Sequence, residues 1–271
     1  MNLNDKVAIV LGSIKGIGKA VGLDLASAGA KVVYTYHDWP ESLDSLREDA
    51  AAAGREHWIA KVDLLDTRAA EQLVQETVQK FGRLDILINN IERGGWPAVH
   101  GEYVPEQWDL ELATTLRAKQ WVFNAALPHL KASRDGLVVN VSSIAGLVGR
   151  SGPASYVFNE GYAAANRGIC LLTETWARLG APEVRVNELM LGIFETRHAE
   201  KTRGWGLLTE EQRQALIDHT LMKRTGRMAD VTRAVRFLIE GAPYMTGSVI
   251  RLDGGYVLGG EAVAPMPEGV E

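Results

Sequence analysis

The chain is expected to fold as an α/β domain, a doubly wound parallel sheet with helices on both faces. Three observations predict this. Short apolar runs alternate with helix-period stretches along almost the whole length. The runs are continuous rather than polar at every second residue, as in strands buried on both sides. No break in composition, repeat or low-complexity segment marks a second domain, and 271 residues suit one α/β unit.

The elements follow in order. "KVAIVLG" (6–12) reads as a first strand, "GKAVGLDLASAG" (18–29) as a helix closing on Gly29, and "KVVYTY" (31–36) as a second strand. Residues 40–54 start with Pro40, end at Gly54 and are rich in helix formers; "EHWIAKVDL" (56–64) is a third strand. Asp66 or Thr67 can cap the next helix, whose apolar face carries Ala70, Leu73, Val74, Val78 and Phe81 and which Gly82 ends. A fourth strand at 84–90, a long helix at about 105–129, a fifth strand at 136–143, a helix at about 162–180 and a sixth strand at 183–190 continue the alternation. A polar, Arg-rich stretch with a helix at 209–221 intervenes before a helix at 229–241 and a last strand at 248–255.

Bulk properties narrow the function classes. The net charge of −5, without a run of Lys or Arg, argues against nucleic acid as a partner. The single cysteine, Cys170, excludes an internal disulfide and reads as a small buried residue on a helix. No apolar stretch approaches the roughly 20 residues that span a bilayer, and the N-terminus has no signal-peptide pattern, so a cytoplasmic location is expected. His100, His129 and His219 lack metal-ligand spacing, and no metal is expected.

The turn "VLGSIKGIGKA" joins the first strand to the first helix, with Gly12, Gly16 and Gly18 spaced G-x3-G-x-G around Ser13, Lys15 and Ile17. Such a turn lets backbone approach a phosphate and aims the free N–H groups of a helix start at it. Its place between the first strand and first helix of a βαβ series points to a nucleotide.

Taken with that turn, "VDLLD" (62–66), "NN" (89–90), "VNVSS" (139–143), "RVN" (185–187) and "TGSVIRLDGG" (246–255) occur in a familiar order. The chain resembles the short-chain dehydrogenases/reductases over roughly residues 5 to 258. The resemblance implies a single Rossmann-type domain over 1–258 with about seven parallel strands, a substrate lid at about 193–225, and a loosely ordered tail at 259–271. It also implies NAD(P), hydride transfer to or from a small molecule, and a homodimer or homotetramer built on the helices at 105–129 and 160–179.

Lys15 matches a basic position of NADP-preferring members, and His37 stands where such members often carry Arg, while Asp38 opposes a 2′-phosphate. The resemblance therefore points to NADP, with NAD open. It places Asp63 at the adenine and Thr196 at the carboxamide, with Leu64, Asn89, Asn90 and Gly192 among the other cofactor-binding residues. Ile91 and Glu92 stand where the family has small residues.

Ser143 matches the family's serine, a hydroxyl donor to the reacting oxygen. Two tyrosines compete for the acid. Counting forward from Ser143, Tyr156 has the family's commonest separation; counting back from "RVN", Tyr162 fits, and "YAAANRGICLLTETWA" resembles the helix that the family's tyrosine opens. Tyr162 is preferred, because a loop accepts extra residues more easily than a packed helix. Asn166 then takes the place of the family's lysine, and Thr115 that of its asparagine. Without an ammonium beside it, a phenol remains an acid for reduction but is a poor base for oxidation.

The 193–225 stretch offers Arg197, His198, Arg203 and Trp205, with Trp96 on an earlier loop, which would suit a planar or anionic substrate. The expected function is an NADP(H)-dependent reductase of a small carbonyl, imine or pterin-like substrate. The alternative is a catalytically impaired nucleotide-binding protein acting as a sensor or partner subunit.

Overall fold

A computed structural model describes residues 1–92, 104–196, 205–261, 263–267 and 269. Seven strands form one parallel sheet. They are β1 (Val7–Val10), β2 (Lys31–Tyr36), β3 (His57–Lys61), β4 (Ile86–Asn89), β5 (Gly136–Ser143), β6 (Val184–Leu191) and β7 (Val249–Leu252). Their order in the sheet is β3-β2-β1-β4-β5-β6-β7. The order reverses between β1 and β4, and the crevice beyond the carboxyl ends of strands at such a point is where open α/β sheets bind ligands.

The helices are α1 (Gly16–Ser27), α2 (Leu43–Ala52), α3 (Thr67–Phe81), α4 (Pro105–Leu112), α5 (Ala118–Ala132), α6 (Ala145–Val148), α7 (Glu160–Gly180), α8 (Glu210–His219) and α9 (Met228–Arg236). Alternate strand residues feed two separate cores. Ala8 and Val10 of β1 face Val21 and Leu25 of α1, Leu46 of α2 and Val231 and Val235 of α9. Ile9 joins Leu73 and Val74 of α3, Val122 and Phe123 of α5 and Trp176 of α7 on the other side. Phe123 and Trp176 stack with centroids 4.4 Å apart, locking α5 to α7. A third apolar cluster lies at the carboxyl edge and includes Ile144, Phe158, Tyr162, Ile193, Leu216 and Tyr256.

Local chemistry sets the boundaries. The Asp66 carboxylate accepts the Arg68 N–H at 3.0 Å and starts α3, and Gly82 ends it at φ 79°. The helix expected at about 105–129 is longer and broken in register, because a π-helical turn at Ala113–Arg117 separates α4 from α5. Such single-turn bulges re-aim side chains and often accompany functional sites. The strands at both ends of the sheet are shorter than the apolar runs that announced them. Among the described residues no helix is long and apolar enough to cross a membrane.

Candidate active site

A cleft runs over the carboxyl ends of the strands from Trp39 to Tyr162. Its floor at one end is the glycine turn. A Cβ on Gly18 would stand 2.3 Å from the Gly12 carbonyl oxygen, and one on Gly12 would stand 2.5 Å from that of Asn90. These two glycines let the turn close against the end of β4. Gly16 is different: its φ of +56° suits glycine, but a Cβ there would meet nothing within 4 Å. It opens α1 toward the cleft, and no side chain caps the helix or places an acid in its first turn. Backbone N–H groups thus line a cradle that suits a phosphate. The Thr35 hydroxyl holds the turn by accepting the Gly12 N–H at 3.1 Å.

Beyond the turn, the wall is made by Tyr36, His37, Asp38, Trp39, Asp63 and Leu64. The Lys15 ammonium sits 2.8 Å from the centroid of the Trp39 ring, a cation–π contact that fixes a positive charge at this end. His37 Nδ1 lies 4.0 Å from an Asp63 oxygen, which also accepts the Leu65 N–H at 3.0 Å.

At the other end Ser143 and Tyr162 line the same cleft. Ser143 closes β5. Its Oγ accepts the Ala145 N–H at 3.1 Å, which leaves the hydroxyl proton to donate elsewhere. Tyr162 lies in the first turn of α7, pinned by the Asn159 cap, whose side-chain oxygen accepts the Tyr162 N–H at 2.9 Å. The phenol donates to Glu92 Oε2 at 2.6 Å. Burial first, and then the adjacent Glu92 charge and this bond, push the phenol well above its ordinary range; hydrogen bonding from Ser143 and Asn166 pulls the other way.

Behind Glu92 stands Lys119, fully buried on α5, with its ammonium 3.9 Å from Glu92 Oε1. It donates to the Val141 carbonyl at 2.6 Å. Burial lowers its pKa, opposed by the charges of Glu92 and Glu188. Glu188 on β6 accepts the Ser142 hydroxyl. Its carboxyl is raised by burial and held down in part by that bond, Lys119 and Arg167.

The sequence was compared with known proteins. The model of a family described as enoyl-(acyl carrier protein) reductase matches residues 12–257. A 3-oxoacyl-[acyl-carrier-protein] reductase FabG of Thermotoga maritima is 32% identical over 95% of this chain and the whole of the relative. This chain belongs to the short-chain dehydrogenase/reductase family. A ketoacyl reductase 2 assigned to granaticin polyketide synthase in Streptomyces violaceoruber is 36% identical over 92% of this chain and 95% of its own. A crystal structure from Sinorhizobium meliloti 1021, described as a short-chain alcohol dehydrogenase, superposes with a TM-score of 0.80 at 26% identity. That match covers 95% of this chain and 98% of the other.

Within this family member the residues singled out from the sequence fall into two groups. Gly12, Lys15, Gly16, Ile17, His37, Asp63, Leu64, Asn90, Ser143, Tyr162, Gly192 and Thr196 line the cleft. The others stand behind its wall. Ser13 turns inward, its hydroxyl donating to the Val10 carbonyl at 2.7 Å, and Gly18 packs under Gly12. Asn89 donates to Asn140, which donates to Thr173, at 2.8 and 2.9 Å, a buried ladder tying β4 and β5 to α7. Thr115 is buried on the π turn. Asn166 shares a helix face with Tyr162, but its amide accepts the Ser143 N–H at 2.9 Å and donates to the Tyr162 carbonyl at 3.0 Å.

Tyr156, the competing tyrosine, does not lie on α7. It ends a 3-10 helix at Gly152–Tyr156 instead of opening a turn, and α7 begins at Glu160, whose carboxylate pairs with Arg150 at 3.0 Å. Trp205 joins the cleft wall. Trp96, His100, Arg197, His198 and Arg203 lie outside the described residues. Sequence reasoning missed Lys119. The signal was there: a lysine inside the apolar stripe of α5, four residues after Thr115 and beside Ala118, Val122 and Phe123.

Proposed function

We propose that this protein is an NADPH-dependent reductase of a carbonyl substrate. The observation that carries the reading is that one cleft begins at the glycine turn and ends at paired hydroxyls, Ser143 and Tyr162. The residues fit the cofactor. The Gly12–Gly18 turn and the α1 start suit its pyrophosphate, Lys15 and His37 favour a 2′-phosphate, and Asp63 and Leu64 suit adenine. When bound, the cofactor supplies a hydride to the carbonyl carbon.

The chain's own residues do the rest. Ser143 holds the carbonyl oxygen by donating a hydrogen bond to it. Tyr162 gives that oxygen its proton: the phenol O–H breaks as the alcohol O–H forms. The buried phenol is neutral at working pH, which is the form an acid needs. Asn166 positions the pair by bonding the Ser143 N–H and the Tyr162 carbonyl.

The names of the relatives direct the first substrate class to 3-oxoacyl thioesters. The experiment is NADPH consumption with such thioesters, then with quinones and pterins. Turnover that falls in Tyr162→Phe and Ser143→Ala, while Tyr156→Phe stays near wild type, supports the reading. Tight NADPH binding with no turnover on any of the three classes supports a second one, a nucleotide-binding protein without chemistry. The engagement of Tyr162 with Glu92, and of Asn166 with backbone, favours that second reading.

The proposed cellular setting is the cytoplasm. A homodimer or homotetramer is proposed too, since Trp121, Leu171 and Leu179 expose apolar surface on α5 and α7.

A further inference from the structure

Two charged side chains at this site have no role in the reductase reading above. Glu92 and Lys119 come from different elements, the turn after β4 and the start of α5, and both are drawn in toward Tyr162. Lys119 is completely buried and its alkyl stem fills space in an apolar stripe, so its ammonium carries a large desolvation cost unless something nearby is negative. Glu92 lies between the ammonium and the phenol, one carboxylate oxygen toward each, at 3.9 and 2.6 Å.

We propose that Glu92 and Lys119 are positioning residues that keep Tyr162 protonated and refill it after it has given up its proton. The inference rests on the reading of Tyr162 as the acid and of Asn166 as a position that supplies no cation. A carboxylate accepting the phenol's hydrogen bond disfavours the phenolate, because two negative charges would then face each other. The same carboxylate has a second oxygen with which to take a proton from behind.

The step balances as follows. Tyr162 loses its proton to the alkoxide, whose electrons came with the cofactor's hydride. The Lys119 ammonium gives a proton to Glu92 Oε1 and becomes a neutral amine; the protonated Glu92 carboxyl then turns that O–H to the phenolate, gives it the proton and is a carboxylate again. A proton from solvent restores the ammonium. Transfer from Lys119 requires Nζ and Oε1 to close by about 1 Å to hydrogen-bond distance. The burial that lowers the pKa of Lys119 makes it a better donor. The arrangement favours reduction and works against oxidation, which needs the phenolate as base.

Among the described residues, other ionisable groups stand around the three. Glu188 on β6 faces Lys119, Arg167 on α7 lies beyond Glu188, and the phenols of Tyr156 and Tyr256 share the apolar cluster with Tyr162. Ser143 and Asn166 are neutral.

The test begins on the protein without cofactor. With [ζ-13C]tyrosine incorporated, the Tyr162 signal among the seven tyrosines is assigned by its loss in Tyr162→Phe. The wild-type signal is expected to titrate well above the ordinary phenol range, and Glu92→Gln is expected to lower its midpoint by about 1 to 3 pH units. An ordinary midpoint near 10 in the wild type, or an unchanged one in Glu92→Gln, overturns the inference whether or not the reductase assay succeeds.

The second arm is kinetic. Glu92→Gln is expected to raise the kcat of alcohol oxidation relative to the kcat of carbonyl reduction by about tenfold, the equivalent of one pH unit in the phenol, with the KM values compensating. Lys119→Arg, which keeps the charge but does not release a proton, and Lys119→Met should both lose the reduction rate in kcat more than in KM. Because Lys119→Met takes the cation from beside Glu92, the double variant Glu92→Gln/Lys119→Met serves as the folding control. A Lys119→Met enzyme that folds and reduces as fast as wild type overturns the refilling step.

Discussion

Each end of β4 carries a carboxylate, Asp85 buried and Glu92 partly buried, and the two are used in opposite ways. Asp85 precedes the strand and has no exposed side-chain surface. It accepts the Val7 N–H at 3.0 Å, Lys6 at 3.2 Å, and Arg83 through Nε and Nη2 at 2.8 and 2.6 Å. Glu92 follows the strand and accepts a phenol at 2.6 Å, with its ammonium partner held off at 3.9 Å. Asp85 is saturated by donors from β1 and its own loop, so it can only hold the sheet together. Glu92 keeps a neutral acid and a cation on either side, an arrangement that can pass a proton. The amino end of a parallel sheet is free to optimise stability, whereas the carboxyl end carries the chemistry.

Substitutions can break or sharpen that contrast. The largest expected effect is at the stable end: Asp85→Ala leaves Lys6 and Arg83 without their partner and should cost about 3–5 kcal/mol in urea unfolding. Glu92→Gln keeps a polar bond to the phenol and should cost less than about 2 kcal/mol in the same assay. Equal losses at the two positions would erase the distinction between them.

Next comes Tyr162→Phe, expected to lower kcat by on the order of 10²–10³-fold while NADPH affinity changes little, measured by fluorescence titration beside steady-state rates. Gly16→Val should do the reverse. Its φ of +56° strains any branched side chain, and it should weaken NADPH binding by about 1–3 kcal/mol without touching the Ser143–Tyr162 pair.

The smallest effect is in pH. Burial raises the Tyr256 phenol to about 12 from 10.0, and raises Tyr34 as well. A raised acid leaves the folded state binding more protons than the unfolded one, so this contribution to stability is intact below pH 10 and is lost as pH rises from 10 through about 12. Tyr256→Phe should therefore show a shallower fall of Tm over that range than wild type.

Much of this was legible in the sequence, for physical reasons. Continuous apolar runs gave the strands, and the Asp66 cap and Gly82 stop gave α3. The glycine spacing gave the tight turn against the end of β4, because close backbone approach explains Gly12 and Gly18. What could not be read depends on contacts between distant segments. Asn166 takes the place of the family's lysine in the sequence, yet it spends its amide on the backbone of Ser143, 23 residues away, and of Tyr162. Asn89 and Ser13 looked like cofactor contacts and are bonded inside the fold. The pairing of Lys119 with Glu92 needed the third dimension, although a lysine in an apolar helical stripe was itself a warning that a negative partner lay opposite.

The central claim is that one cleft binds NADPH and delivers a proton from Tyr162. The most direct measurement is single-turnover NADPH oxidation with a 3-oxoacyl thioester, wild type beside Tyr162→Phe, after NADPH binding has been measured for both. The account predicts similar binding in the two proteins and turnover only in the wild type at any appreciable rate. No NADPH binding to the wild type, or equal turnover in both, would contradict it.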